Sequence, residues 1–155
     1  MGSTSEAYAE ARRRYVPAPV RTSELNVIFT TLRGTLVAMR AAAALSRVSG
    51  ATVRLIDPRP VHVPLRAAGY ALAAAPDTSV EEREREQVIA TAGVPVEVQV
   101  YVCGHPSNAT RAALRPRSLV ILGGRRSWWP TGLERLRRML ESQGHAVLFV
   151  HEASA

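Results

Sequence analysis

The residues best suited to bind a ligand lie in one loop, directly after a short apolar segment. Residues 118–122 read Ser-Leu-Val-Ile-Leu, and they are followed by Gly123, Gly124, Arg125, Arg126 and Ser127. Glycines at such a position let backbone N–H groups approach phosphate oxygens without a Cβ in the way. The two arginines, close to the start of the next predicted helix, could also hold an anion by themselves. The loop is therefore a candidate nucleotide or anion site, against the simpler interpretation that both arginines face solvent.

Two further residues border the same predicted crevice. Thr31 ends the first apolar strand, and Asp57 ends the second. The Asp57 carboxylate could accept a hydrogen bond from a ribose hydroxyl. However, Asp57 precedes Pro58, and an aspartate in such a pair typically accepts hydrogen bonds within a turn. We favour the turn.

The remaining reactive residues do not form a catalytic or metal-binding pattern. Cys103 and His105 lie close together near a strand end, but this spacing alone does not make a nucleophile with its base. The four histidines are scattered, without the helical i, i+4 pairing or shared loop of a metal site. We therefore predict no metal and no enzymatic activity, and we expect Cys103 to be a packed, inert thiol.

The composition narrows the class of protein. The chain has 155 residues, of which 46% are hydrophobic, as in a single soluble domain. No apolar run reaches the ~18 residues of a membrane span, and the first residues lack the apolar core of a signal peptide. We therefore expect a cytoplasmic protein without a membrane partner. The net charge of +7 attracts polyanions non-specifically, but the aromatic content of 5% argues against specific nucleic-acid binding.

From residue 25 onward, short apolar strands alternate with amphipathic helices. The pattern predicts strands at residues 27–31, 53–57, 96–102, 118–123 and 146–150. Helices are predicted at residues 34–48, from a capping box of Ser79 and Glu82 to Gly93, after Pro106, and from Thr131 to Gly144. Residues 58–78, with four prolines, do not indicate a single element, and their apolar part could be a helical turn or a lid. Such alternation requires a parallel sheet with right-handed crossovers, so we predict one three-layer α/β/α, Rossmann-like domain over residues 25–152, preceded by an extension at residues 1–24.

The chain resembles the universal stress protein family over roughly residues 25–150. The likeness rests on its size, the five-strand alternation and the alanine-rich first helix followed by residues 51–56. It also rests on the final part, with residues 119–123, a loop with glycine and arginine, one helix and a terminal strand. The resemblance implies an adenine-nucleotide alpha-hydrolase-like fold with strand order 3-2-1-4-5 and a ligand crevice between strands one and four. It also implies homodimers in which the fifth strands, here Ala146–Val150, meet at the sheet edge.

The motif through which many members of that family bind ATP is only partly present. The motif is Gly-x-x-Gly, nine further residues, then Gly-Ser or Gly-Thr. Gly123 matches its first position, but Arg126 stands at the second and Leu136-Arg137 at the final pair. The ATP binders also carry an aspartate after strand one, where this chain has Thr31-Leu32. The resemblance therefore implies the family fold without the complete ATP signature.

Together these features predict a non-catalytic protein that needs no cofactor and acts through dimerisation and contacts with a protein partner in a stress or regulatory role. The basic residues near the start of the chain and the pair Trp128-Trp129 are candidate partner contacts, since tryptophan is favoured at interfaces. The alternative is a sensor that binds ATP, another nucleotide or an anion through the loop Gly123–Ser127.

Overall fold

The strands and helices follow the order that the sequence pattern predicts. A computed structural model of the chain describes residues 21–60, 78–125 and 132–153. Its elements are, in chain order, β1 (Arg21–Ile28), α1 (Leu32–Ser49), β2 (Thr52–Pro60), α2 (Thr78–Ala92), β3 (Val96–Cys103), α3 (Pro106–Ala113), β4 (Ser118–Gly124), α4 (Gly132–Ser142) and β5 (Ala146–His151).

The five strands form one parallel sheet in the order β3-β2-β1-β4-β5, which confirms the predicted fold class and strand order. The central strand β1 pairs with β2 as far as Ile28 and Ile56, and with β4 as far as Val27 and Ile121. The chain leaves β1 and β4 toward opposite faces of the sheet. Ligands of open α/β sheets bind at such a switch point, beyond the carboxyl ends of the strands.

Two apolar cores lie on the two faces of the sheet. On one face, α1 and α2 bury side chains such as Met39 and Val88 against Val27 and Leu55. On the other face, α3 and α4 cover a second cluster, which includes Leu140 of α4. Strands buried on both faces read as continuous apolar runs, which is why the sequence pattern locates them well.

The helix α1 shows how the sequence sets its bounds. Thr31 caps its amino end by accepting a hydrogen bond from the Gly34 N–H, and Gly50 ends it in the left-handed conformation with φ 72°. The arginines at positions 33, 40 and 47 are exposed, as their spacing of seven predicts. The alanine-rich face of α1, away from these arginines, packs on the sheet.

Three predictions about element ends are wrong. The first strand does not cover residues 27–31: β1 spans Arg21–Ile28, and Thr31 lies past it because its side chain accepts the Gly34 N–H and so starts α1. Pro58 does not close β2, because the strand continues to Pro60 and pairs with β3 as far as Cys103. The Ile56 carbonyl accepts a hydrogen bond from the Phe29 N–H, so alternate residues Pro58 and Pro60 also turn their missing N–H toward β1, which has already ended. No ladder hydrogen bond is lost there.

The helix α2 begins at Thr78, so Ser79 is inside it and is not its N-cap, contrary to the predicted capping box. Residues 1–20, 61–77 and 126–131 lie outside the described residues. They include most of the predicted extension, most of the proline-containing segment 58–78 and the pair Trp128-Trp129. Among the helices that are described, none is both long and apolar enough to cross a membrane.

Candidate functional site

Three threonines, at positions 30, 31 and 35, lie between the end of β1 and the first turn of α1. Thr31 Oγ1 accepts the Gly34 N–H at 3.1 Å, and Thr35 Oγ1 donates to the Thr31 carbonyl at 2.6 Å. The Thr30 N–H in turn donates to Thr35 Oγ1 at 3.1 Å, and the Thr35 side chain is fully buried. Thr31, a predicted site residue, therefore uses its hydroxyl oxygen to begin α1.

Gly123, at the end of β4, lies directly against Gly34 in the first turn of α1. A Cβ added to Gly34 would overlap the Gly123 carbonyl oxygen and come within 2.8 Å of its carbon. A Cβ added to Gly123 would in the same way overlap the Gly34 carbonyl and lie 3.1 Å from the Ala38 nitrogen. Thr30 Oγ1 also donates to the Gly123 carbonyl at 3.4 Å. Glycine is thus required at both positions because the two backbones touch.

Gly124 makes the corresponding close contact on the opposite face of the sheet. A Cβ there would overlap Leu133 Cδ2 of α4 and lie 3.7 Å from Phe149 Cζ. The Gly124 carbonyl accepts the Glu152 N–H at 2.9 Å, so backbone hydrogen bonding with β4 continues one residue past the end of β5. The two consecutive glycines therefore let α1 and α4 pack closely on the two faces of β4.

Arg125 follows Gly124 and extends into solvent. Its side chain is 76% exposed, and its Nε lies 3.4 Å from Glu152 Oε2. Arg126 and Ser127, the other two predicted residues of the loop, lie outside the described residues. The described part of the loop therefore contributes one exposed guanidinium with a carboxylate beside it.

Asp57 lies in an ion-pair cluster formed by Asp57, Arg59, Glu81 and Arg85. Its side chain is only 1% exposed, and Oδ2 accepts from Arg59 at 2.7 Å and from Arg85 Nε at 2.8 Å. Glu81 Oε1 lies 3.0 Å from the other terminal nitrogen of Arg59. The favoured turn at Asp57 is therefore wrong, because this residue is inside β2 and its carboxylate is held by two guanidinium groups.

The structure thus divides the predicted site residues into three groups. The Thr31 region meets Gly123 through the Thr30 hydroxyl and the Gly34 backbone, Arg125 pairs beyond β5, and Asp57 pairs with α2. Among the described residues, the Asp57 carboxylate is paired with Arg59 and Arg85 and not with a residue of the other two groups. Their common feature is position at the carboxyl edge of the sheet.

Sequence reasoning missed the partners of these residues. Gly34 carried a usable signal, since a glycine inside a predicted helix costs about 1 kcal/mol relative to alanine and so points to a packing constraint. Arg59 and Arg85 carried none, because their acceptor Asp57 is identified only by the fold. Cys103 lies beside Arg59, with Sγ 3.9 Å from its carbonyl oxygen. In the part of the chain that is described, no group of three histidine, cysteine or acidic side chains could hold a metal ion.

Comparisons with known proteins give a consistent fold. No protein-family model and no curated protein matches the sequence. Among solved structures, the universal stress protein from Archaeoglobus fulgidus superposes with a TM-score of 0.58 at 16% identity, over 81% of this chain and 91% of that one. A universal stress protein in complex with cAMP superposes with a TM-score of 0.50 at 15% identity, over 85% of this chain and 98% of that one. The chain therefore has the fold of the universal stress proteins.

Proposed function

We propose that the chain is a non-catalytic, cytoplasmic protein with the universal stress protein fold that does not bind ATP and acts through homodimerisation and contacts with a protein partner. The observation that carries this proposal is the close packing around Gly123 and Gly124. It gives the two glycines a structural reason that does not involve a phosphate group. The stress or regulatory role follows from the resemblance to the family.

The packing gives both glycines at the end of β4 protein neighbours in place of a phosphate. An anion held by backbone N–H groups needs those groups open to it. The Gly34 backbone covers one face of Gly123, and Leu133 covers the opposite face at Gly124. Thr31 stands where the family's ATP binders carry an aspartate, and its hydroxyl oxygen is engaged with α1. These features support the loss of nucleotide binding.

Calorimetric titration of the full chain with ATP, ADP and cAMP tests this proposal. We expect no heat of binding at micromolar concentrations of nucleotide. Micromolar binding that disappears in Arg126→Glu but persists in Arg111→Glu would overturn the proposal in favour of the nucleotide or anion sensor. Arg111 is a suitable control because it is exposed on α3, away from the loop, and the substitution changes the net charge equally.

The dimer part of the proposal rests on β5. Among the described residues, this strand pairs only with β4, so its outer edge presents unpaired backbone groups. Leu148, in the middle of the strand, is 40% exposed. Pairing of two β5 edges would satisfy the backbone groups and cover Leu148.

A further inference from the structure

The two halves of α2 are attached to the sheet in different ways. Val88 and Ala92 are fully buried in the core, and Ile89 packs against it. None of the side chains of residues 79–87 is buried, and the apolar residue among them, Val80, is 48% exposed. Apolar contacts therefore hold the second half of the helix and contribute little to the first.

The first half of α2 is held by the ion-pair cluster. Glu81 and Arg85 are four residues apart and so lie on the same side of the helix. Arg85 donates to Asp57 and Arg59 donates to Glu81, so each element supplies one acid and one base. The charges on the sheet side and the helix side thus alternate, and the cluster as a whole is neutral.

The Asp57 carboxylate is the shielded part of the cluster. Asp57 is 1% exposed, and the Arg59 guanidinium lies 5.4 Å from the centre of the Phe29 ring. The other three side chains are more open, with exposed fractions of 18% for Arg59, 20% for Arg85 and 38% for Glu81. Loss of Arg85 would leave the Asp57 carboxylate with one fewer donor in a place that water barely reaches, which makes the contact stronger than an ordinary surface pair.

We propose that residues 79–87 form a latch that opens as a unit, while residues 88–92 stay docked, and that the ion-pair cluster controls how often it opens. Opening separates Arg85 from Asp57 and Glu81 from Arg59, and it uncovers the Asp57 carboxylate at the carboxyl edge of the sheet. The latch is thus a conformational device beside the switch point. It does not depend on whether the chain binds a nucleotide or dimerises.

Hydrogen–deuterium exchange of the full chain, followed by mass spectrometry, tests the latch. The informative amides are those of residues 82–91. The first four N–H groups of a helix have no intrahelical acceptor, and the N–H groups of residues 88–91 donate to the carbonyls of residues 84–87, which belong to the latch. In Arg85→Gln these amides should exchange about tenfold faster, as expected from the loss of one charge-assisted hydrogen bond. The amide of Ala92, whose acceptor is the carbonyl of the docked Val88, and the amides of residues 53–57 in β2 should change by less than about twofold, since they open only with the core.

Two further variants sharpen the test. Glu82→Gln removes one charge from the same turn of α2 but lies on its exposed side, so its exchange should match that of the wild type. Asp57→Asn should accelerate residues 82–91 at least as much as Arg85→Gln does, provided that it folds. If Asp57→Asn does not fold, Arg85→Gln and Glu82→Gln decide the matter. Unchanged exchange in Arg85→Gln, or acceleration of Ala92 and of residues 53–57 equal to that of residues 82–91, would overturn the proposal.

Discussion

Replacement of Gly34 by alanine tests the packing argument at the switch point. At an exposed position in a helix, this change stabilises a protein by as much as about 1 kcal/mol, because alanine has the higher helix propensity. Here the new Cβ would overlap the carbonyl oxygen of Gly123. The neighbour is backbone, so no side chain can rotate away, and α1 must move from β4. Overpacking of this kind costs up to about 3 kcal/mol.

The expected net effect is a loss of about 2 kcal/mol, the difference between the overpacking cost and the helix gain. For a domain of this size it corresponds to a decrease of about 4–8 °C in Tm. Urea unfolding followed by circular dichroism gives the free energy directly. Gly132→Ala is the matched control, since a Cβ on this first residue of α4 meets no atom within 4 Å, and it should be neutral or stabilising. A Gly34→Ala protein as stable as the wild type would refute the argument.

Three further predictions concern other parts of the fold. Burial lowers the pKa of His145 below its ordinary value of 6.5. The stability that its neutral form provides should therefore be complete above pH 6.5 and decline as the pH falls toward the lower pKa of the folded state. Urea midpoints between about pH 5.5 and 8 should shift less in His145→Gln than in the wild type, and equal shifts would contradict this. In analytical sedimentation, Leu148→Arg should convert a dimer to a monomer. Val48→Arg, at a 91% exposed position on α1, should leave the dimer intact. A monomeric wild type at high protein concentration would contradict the dimer. Arg54, 7% exposed, donates hydrogen bonds to side chains of both neighbouring strands. Arg54→Met should therefore lower the free energy of unfolding by about 3 kcal/mol, whereas Arg111→Met should leave it unchanged. Equal stability of the two variants would show that the buried network contributes nothing.

Much of the fold could be predicted because burial on both faces leaves a strong local signal. The apolar run before Gly123 and the regular alternation of strands with helices were enough to predict a parallel sheet, and the family resemblance supplied the strand order. The end of β2 could not be predicted in the same way. Whether Pro58 interrupts a strand depends on where the neighbouring strand stops, and that strand is β1, which ends at Ile28. The local sequence of β2 does not contain this information.

The candidate site was harder to predict, since one sequence signature has two physical causes. Glycines after a strand allow close approach of either a phosphate or another backbone, and the difference at Gly123 depends on Gly34, far away in the sequence. Asp57 presents the same difficulty. Its partner Arg85 is 28 positions away on α2, within a run of charges that reads as a solvated face. Only the fold identifies which arginine reaches the carboxylate.

The extension of β2 past the end of β1 has a consequence for self-association. Among the described residues, the sheet has a notch beyond Ile56, where one side of β2 has no neighbouring strand. An open strand side of this kind would ordinarily be a template for a strand from another molecule. Pro58 and Pro60 are the residues that face it, and neither has an N–H to donate. The notch can therefore offer only acceptors, so an intruding strand would form half of a ladder, and the prolines protect the sheet at the point where it is interrupted.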